Sequence, residues 1–330
     1  MVTDAERQDQ ATRKCRRRAL RSIFQTRYSI LKTALLIVLF GIVSACAQTH
    51  LQTDTKSEAK TAQGPALWRA SDEDTTIIFF GTVHLLPTGI DWQREDLRTA
   101  LAEASQLYLE TSPQTMTLDE ITNFEKASIA APDAQLPDIL STEDYEKLTA
   151  VLEKLQMNPS IMDGRQPWFV SIILGRMVLE NNGFRADLGA EAWLTTQAEA
   201  KNIPIRSLEK MTDVSSALSA FPQSLQIELL QSTLSEGTDL KDQYSNLISV
   251  WMAAETEKLH RLTMHEMQTK LPKVYDFMLE QRNRNWIPEI ERIMREETGT
   301  VLIAVGSGHL IGPVSVIEML REKDWKIEKY

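Results

Sequence analysis

The chain has little cysteine, and both of its cysteines lie near the N-terminus. Cys15 and Cys46 are the only two among 330 residues. Both precede the part of the chain that we expect to fold, so the folded part has no thiol. A disulfide framework, a cysteine nucleophile and a cysteine-ligated zinc site are therefore excluded there. The hydrophobic core must supply the stability of the domain.

A long hydrophobic run is missing as well. The most apolar segment covers residues 34–43, about ten residues, whereas a bilayer-spanning helix needs roughly 20. With 42% hydrophobic and 25% charged residues, the composition is that of an ordinary globular protein. Disorder, collagen-like repeats and a multi-pass membrane protein are poor interpretations.

Basic residues are scarce beyond the N-terminus. Residues 1–45 contain nine of the 36 Lys and Arg and three of the 46 Asp and Glu. The rest of the chain therefore has 27 basic and 43 acidic residues, a net charge of −16. This balance argues against a nucleic-acid partner. No phosphate-binding loop and no well-placed G-x-G-x-x-G occurs, so a nucleotide partner is not expected either.

The N-terminal segment has the pattern of a secretory signal. A basic stretch precedes the apolar run of residues 34–43, the order expected of such a signal. Val43-Ser44-Ala45-Cys46 resembles the bacterial lipobox, in which the cysteine is lipidated and becomes the first residue. We expect a lipoprotein signal peptide at 1–45, and several acyl chains on Cys46 would anchor the protein firmly. Ala47 favours the periplasmic face of the outer membrane. An ordinary signal peptide or an uncleaved anchor is the alternative.

Beyond the signal, the chain is predicted to comprise a tether and one α/β domain. Residues 46–65 are polar and are interpreted as a flexible tether. Residues 66–330 are expected to form a central, mostly parallel sheet flanked by helices, with a large helical insertion at about 211–297. The strand candidates are 67–70, 76–80, 106–109, 203–208, 300–305 and 326–330. The helix candidates are 92–104, 117–130, 142–156 begun by Ser141, 167–181, 189–201 and 313–323 opened by Gly312-Pro313. The insertion is expected to be helical with breaks near Pro222, Gly237 and Pro272.

One local pattern occurs twice. Residues 80–85 and 305–310 both have an apolar strand end followed by G-x-x-H-L. Glycine permits a close backbone approach at the strand exit, and sites form at the carboxyl ends of strands in open α/β sheets. We therefore predict that the two strands are parallel neighbours, with the C-terminal strand in the central part of the sheet. His84 and His309 would then meet at one edge.

Two carboxylates share that position. Glu110 and Glu209 each directly follow a predicted strand. Imidazole and carboxylate groups together suit a divalent ion such as Mn, Co or Zn. The alternative is that each histidine caps a turn and that each glutamate pairs with a surface lysine.

A third pattern lies in the predicted insertion. Arg282 and Trp286 are four residues apart in a predicted helix and share a face. Arginine can hold a carboxylate or carbonyl oxygen in a bidentate manner, and the neighbouring Asn283 can orient one. The alternative is a helix that buries its tryptophan and exposes its arginine.

Taken together, these elements resemble the TraB/PrgY/GumN family over about residues 66–330. The elements are the two G-x-x-H motifs, the strand-end glutamates and R-N-x-x-W. The resemblance implies a metal site of His84, Glu110 and His309, and Arg282 with Asn283 match the R-N element. The usual Gly-Asp stretch is represented by residues 183–187, one residue longer than expected.

This resemblance implies a metal-dependent hydrolase, a peptidase of the Tiki type acting on a peptide or protein. The bound metal would activate water, Glu209 would orient a ligand or act as a base, and Arg282 with Asn283 would steady the oxyanion. The alternative is a non-catalytic binding protein that sequesters a peptide signal or assists exopolysaccharide and envelope assembly.

Overall fold

The computed structural model describes residues 64–112, 114–236 and 240–330. The predicted signal peptide, the lipidated Cys46 and nearly all of the predicted tether lie outside the described residues. Each described helix is too short or too polar to cross a bilayer.

A mixed sheet forms the centre of the domain. Its six strands within the described residues are β1 (Leu67–Ser71), β2 (Thr75–Thr82), β3 (Ala104–Leu109), β4 (Ile205–Ser207), β5 (Gly299–Gly306) and β6 (Ile327–Lys329). The strand order is β4-β3-β5-β2-β1-β6. Strands β4, β3, β5 and β2 are parallel, whereas β1 and β6 are antiparallel at one margin. The predicted α/β class with a mostly parallel sheet is confirmed.

Strands β2 and β5 are parallel neighbours over eight positions, from Thr75 opposite Gly299 to Thr82 opposite Gly306. Strand β5 lies between β2 and β3, so its predicted central position is confirmed. Both strands are almost continuously apolar and buried, as expected of strands covered on both faces. A Cβ atom on Gly81 would lie 3.2 Å from Cα of Ser307, so glycine permits the two strand exits to approach closely.

Helices flank the sheet in the chain before β4, and two of them begin at clear capping signals. Thr117 and Glu120 form a capping box at the helix that begins at Leu118, and Ser141 caps the helix that begins at Thr142, as predicted. The helices in this part are α1 (Glu95–Glu103), α2 (Leu118–Ala127), α3 (Leu136–Ile139), α4 (Thr142–Lys154), α5 (Pro167–Asn181) and α6 (Ala190–Ala200). The short α3 was not predicted.

Within the described residues, the chain between β4 and β5 is mostly helical. Its elements are α7 (Met211–Ala220), α8 (Gln223–Glu236), α9 (Leu240–Met252), α10 (Thr256–Thr263), α11 (His265–Lys270), α12 (Pro272–Tyr275), a π-helix (Asp276–Gln281) and α13 (Arg282–Glu296). The predicted breaks at Pro222 and Pro272 fall at helix boundaries, and the one at Gly237 lies outside the described residues.

This helical segment holds the first G-x-x-H turn. Nε1 of Trp251 donates to the carbonyl oxygen of Gly81 at 2.8 Å. The hydroxyl of Tyr244 donates to the carbonyl oxygen of Leu85 at 3.2 Å. Both donors lie on α9, so this helix fixes the backbone on either side of His84.

The last helix, α14 (Val316–Arg321), is shorter than predicted. The Gly-Pro pair at 312–313 favoured a start at residue 313. Instead, the Ser315 side chain accepts a hydrogen bond from Glu318 N and caps the helix there. Gly312 adopts a φ of 82°, which turns the chain before the helix begins.

Strand β5 should be indispensable for folding. A chain that ends at residue 299 loses β5 and leaves the backbone groups of β2 and β3 without their partner strand. We expect this fragment to show no cooperative thermal transition by circular dichroism, in contrast to the full chain. A cooperative transition of the fragment would contradict the central role of β5.

Candidate functional site

The two G-x-x-H turns converge as predicted. His84 follows β2, and His309 ends a single turn of 3₁₀-helix (Ser307–His309) after β5. Oγ of Ser307 donates to the carbonyl oxygen of Thr82 at 2.8 Å, which ties the turns together. The exposed fraction is 8% for His84 and 0% for His309.

Arg282 lies at the centre of the cluster with an exposed fraction of only 3%. Its Nη2 atom donates to Oε2 of Glu110 at 2.8 Å. Its Nε atom donates to both carboxylate oxygens of Glu209 at 3.0 Å. Its Nη1 atom donates to the Met278 carbonyl oxygen at 3.1 Å and to Nε2 of His309 at 3.2 Å. The alternative interpretation, in which the helix exposes this arginine, is therefore wrong.

Glu110 links the arginine to the second G-x-x-H turn. Its Oε1 atom accepts a hydrogen bond from Gly306 N at 2.5 Å and lies 3.8 Å from Nε2 of His309. Burial raises the pKa of Glu110 above its ordinary value, although the positive charge of Arg282 opposes the shift. Glu110 and Glu209 thus pair with a buried arginine and not with surface lysines.

Asn283 fixes which ring nitrogen of His309 carries the proton. Its Nδ2 atom donates to the Val314 carbonyl oxygen at 2.7 Å, so its Oδ1 atom accepts from Nδ1 of His309 at 2.5 Å. Because Arg282 can only donate, Nε2 of His309 is the acceptor. Burial, with the positive charges of Arg282 and His84, lowers the pKa of His309 well below its ordinary value. His309 is therefore neutral, with its proton on Nδ1.

Trp286 completes the face of α13 that covers the cluster. Its ring lies 4.4 Å from the His309 ring, centroid to centroid, and the Arg282 guanidinium lies 5.1 Å from its centroid. Its Nε1 atom donates to Oε2 of Glu209 at 3.3 Å. Each lettered residue of the R-N-x-x-W element therefore contacts the cluster.

Glu191 is the partner of His84, although no pattern in the sequence pointed to it. Oε1 of Glu191 lies 2.6 Å from Nδ1 of His84 and also accepts from the hydroxyl of Thr82. Burial acts to lower the pKa of His84, but the charge of Glu191, its hydrogen bond to His84 and the charge of Glu110 together raise that pKa above its ordinary value. Burial likewise opposes ionisation of Glu191, whereas the charge of His84 holds its pKa below the ordinary value.

The approach of α6 to His84 depends on a glycine. A Cβ atom on Gly189 would lie 2.0 Å from the His84 carbonyl oxygen, so a larger residue cannot fit without backbone movement. Glu191 lies in the first turn of α6, where acidic residues are common. Nothing in the sequence therefore distinguished Glu191. Asp187, from the stretched motif, forms an exposed ion pair with Arg185.

The arrangement does not fit a metal ion as it stands. The Nδ1 atoms of both histidines are held by other side chains, as is common for metal-binding imidazoles. However, the Arg282 guanidinium already engages the atoms of Glu110 and His309 that a cation would need. Among the described residues, no group of three or more His, Cys, Asp or Glu side chains is arranged to hold a metal. Binding of Mn, Co or Zn by His84, Glu110 and His309 stays a prediction.

A cleft of about 910 Å³ lies beside the cluster and includes Glu209 in its wall. Residues of β3, β4, the start of α2 and the end of α13 line it. Glu209 is thus the one residue of the Arg282 cluster that lines this cleft. A ligand in the cleft would meet Glu209 before it met the arginine.

The fold and the cluster define an α/β protein with a buried His–Glu–Arg site at the carboxyl ends of parallel strands. A sequence profile of the TraB/PrgY/gumN family matches residues 66–329, and the chain belongs to this family. Its relatives include the uncharacterized protein YbaP of Escherichia coli strain K12 and that of Shigella flexneri. Each is 24% identical over 195 residues, which is 59% of this chain and 71% of the relative. No solved structure matches.

Replacement of Arg282 should destabilise the domain strongly. Arg282→Met leaves the buried Glu110 and the nearly buried Glu209 without their cation, and removal of one partner from a buried ion pair costs about 3–5 kcal/mol. Arg284→Met is the matched control, because Arg284 lies on α13 beside Arg282 and pairs with Glu280 while 66% of its side chain is exposed. Urea unfolding should show a large loss for the first variant and almost none for the second. Equal losses would contradict the central role of Arg282.

Proposed function

We propose that this protein is a hydrolase that cleaves a peptide or protein substrate at the His84–Arg282 cluster. The observation that carries the proposal is the pairing of His84 with Glu191 beside a buried guanidinium. A histidine oriented by a carboxylate is a common general base. A fixed cation in a buried setting stabilises negative charge that develops during acyl transfer.

In the proposed mechanism, His84 takes a proton from a water molecule that attacks the peptide carbonyl carbon. Every donor of Arg282 is bonded within the cluster, so the oxyanion takes the place of the Glu209 carboxylate, which lines the cleft. His84 then returns the proton to the leaving amine as the carbon–nitrogen bond breaks. Glu191 acts as a positioning residue, because it holds Nδ1 of His84. Asn283 and neutral His309 maintain the orientation of the arginine.

The cellular location that we propose for this activity is inferred from the predicted signal peptide and from Cys46. A lipid on Cys46 would hold the enzyme at the periplasmic face of the outer membrane. The substrate would then be a peptide or protein of the cell envelope.

The assay is cleavage of a random peptide library by the purified full chain, followed by mass spectrometry. Arg282→Lys should lower kcat/KM by about 10²–10³-fold, the usual effect of losing a transition-state donor. His84→Asn should lower it by about 10²–10⁴-fold, the range for a general base. Glu143→Gln is the control, because Glu143 pairs with Lys147 on α4 and both side chains are exposed.

Glu191→Gln should shift the pH profile of kcat/KM, which a purely structural role of Glu191 would not do. A general base acts when deprotonated, so kcat/KM should rise with pH through the His84 pKa, which lies above the ordinary 6.5. Removal of the Glu191 charge should lower that pKa, so the midpoint of the profile should move to lower pH. An unchanged midpoint would contradict the role of His84.

Two further results decide between the remaining alternatives. Elemental analysis after exposure to Mn, Co or Zn tests the predicted metal site, and stoichiometric metal that disappears in His309→Ala would support it. Partner binding without any cleavage would favour the alternative of a non-catalytic protein that sequesters a peptide or assists envelope assembly.

A further inference from the structure

The cleft beside Glu209 runs along the margin of the sheet. Strand β4 is terminal in the sheet order, and no described strand lies beyond it. Arg206, Ser207 and Leu208 all line the cleft. An edge strand of this kind presents unpaired backbone donors and acceptors.

The hydrogen bonds to β3 show which backbone groups of β4 face outward. Leu107 N donates to the Pro204 carbonyl oxygen, and Leu208 N donates to the Leu109 carbonyl oxygen, both at 2.9 Å. In a parallel pair, successive residues direct their backbone groups to opposite sides of the strand. Ser207 therefore directs its N–H and C=O groups away from β3 and towards the cleft.

The edge leads to the candidate site. Glu209 N donates to the Glu110 carbonyl oxygen at 3.0 Å directly after β4, and the Glu209 carboxylate binds Arg282. A ligand that follows β4 in its chain direction would arrive at Glu209 and hence at the guanidinium.

The lining is mixed in polarity and slightly acidic. It contains five carboxylates and three basic groups, and Arg292 is already paired with Glu289. This balance disfavours a polyanion. The outward backbone groups of β4 can pair with a ligand that has a regular series of amide groups, and the apolar parts of the lining can contact its side chains.

We infer that an extended peptide segment binds in this cleft by adding a strand to the outer edge of β4. Strand addition uses main-chain hydrogen bonds for affinity and tolerates varied side chains. The inference rests on the proposed hydrolase, for which it supplies the way the substrate is held.

The first test uses a random decapeptide pool and full-length His84→Asn, which should hold peptides without consuming them. Amide hydrogen exchange, read by mass spectrometry over residues 203–210, should slow about tenfold, the effect of one added hydrogen bond. A second pool, N-methylated at alternate backbone nitrogens, should give no such protection. Equal protection by the two pools, or none with either, would overturn the inference.

The second test removes one backbone donor from the protein. Ser207→Pro removes the outward N–H group, whereas the two flanking hydrogen bonds to β3 do not involve it. Ser207→Ala is the control, because it keeps the N–H group and loses only the 2.8 Å hydroxyl contact with Thr115. Fluorescence anisotropy of the labelled pool should show about tenfold weaker binding for Ser207→Pro alone. Equal binding by both variants would contradict strand addition.

The outcomes separate this inference from the proposed hydrolysis. Protection of residues 203–210 without any cleavage by the parent chain would support peptide binding in the cleft and contradict the proposed hydrolysis. Equal cleavage by Ser207→Pro and Ser207→Ala, without slower exchange of residues 203–210, would support the hydrolase. The same result would contradict peptide binding along β4.

Discussion

The buried guanidinium of Arg282 is the interaction on which the rest of the site depends. It joins Glu110 at the end of β3, Glu209 after β4 and His309 after β5 to a single helix. Burial of a charge is costly unless it is paired with good geometry. The strand ends must therefore lie at one sheet edge, and α13 must cross that edge with Arg282 facing inward.

The first histidine, His84, is held by two other helices, α6 and α9. His84 pairs with Glu191 of α6, and α9 fixes the backbone around it through Tyr244. The Ser307 hydroxyl then connects the two turns across the β2–β5 pair. Residues distant in sequence thus form one rigid cluster, because each contact is made from a strand end or a packed helix.

The strands and most helices could be predicted because their signals are local. Continuous apolar runs that end in glycine marked β2 and β5, and the Pro-initiated α5 occupies its predicted range 167–181. The strand-end position of Glu110 and the R-N-x-x-W spacing pointed to the site for the same reason. Glu191 gave no such signal, because a glutamate in the first turn of a helix is ordinary.

The bonding pattern of Arg282 was also beyond prediction, because it depends on which strand ends meet in three dimensions. Helix spacing could place Arg282 beside Trp286, yet only the tertiary arrangement shows that the arginine reaches atoms assigned to a metal. The start of α14 differed for a simpler reason, since capping by Ser315 overrode the Gly-Pro signal.

The most direct test of the arginine-centred site is ¹⁵N NMR of the histidine side chains. If Arg282 donates to Nε2 of His309, that ring carries its proton on Nδ1 and stays neutral through the pH range in which an ordinary histidine titrates. The account predicts an unchanged Nδ1–H signal for His309 across that range. A proton on Nε2, or titration with a midpoint near the ordinary histidine pKa of 6.5, would contradict it.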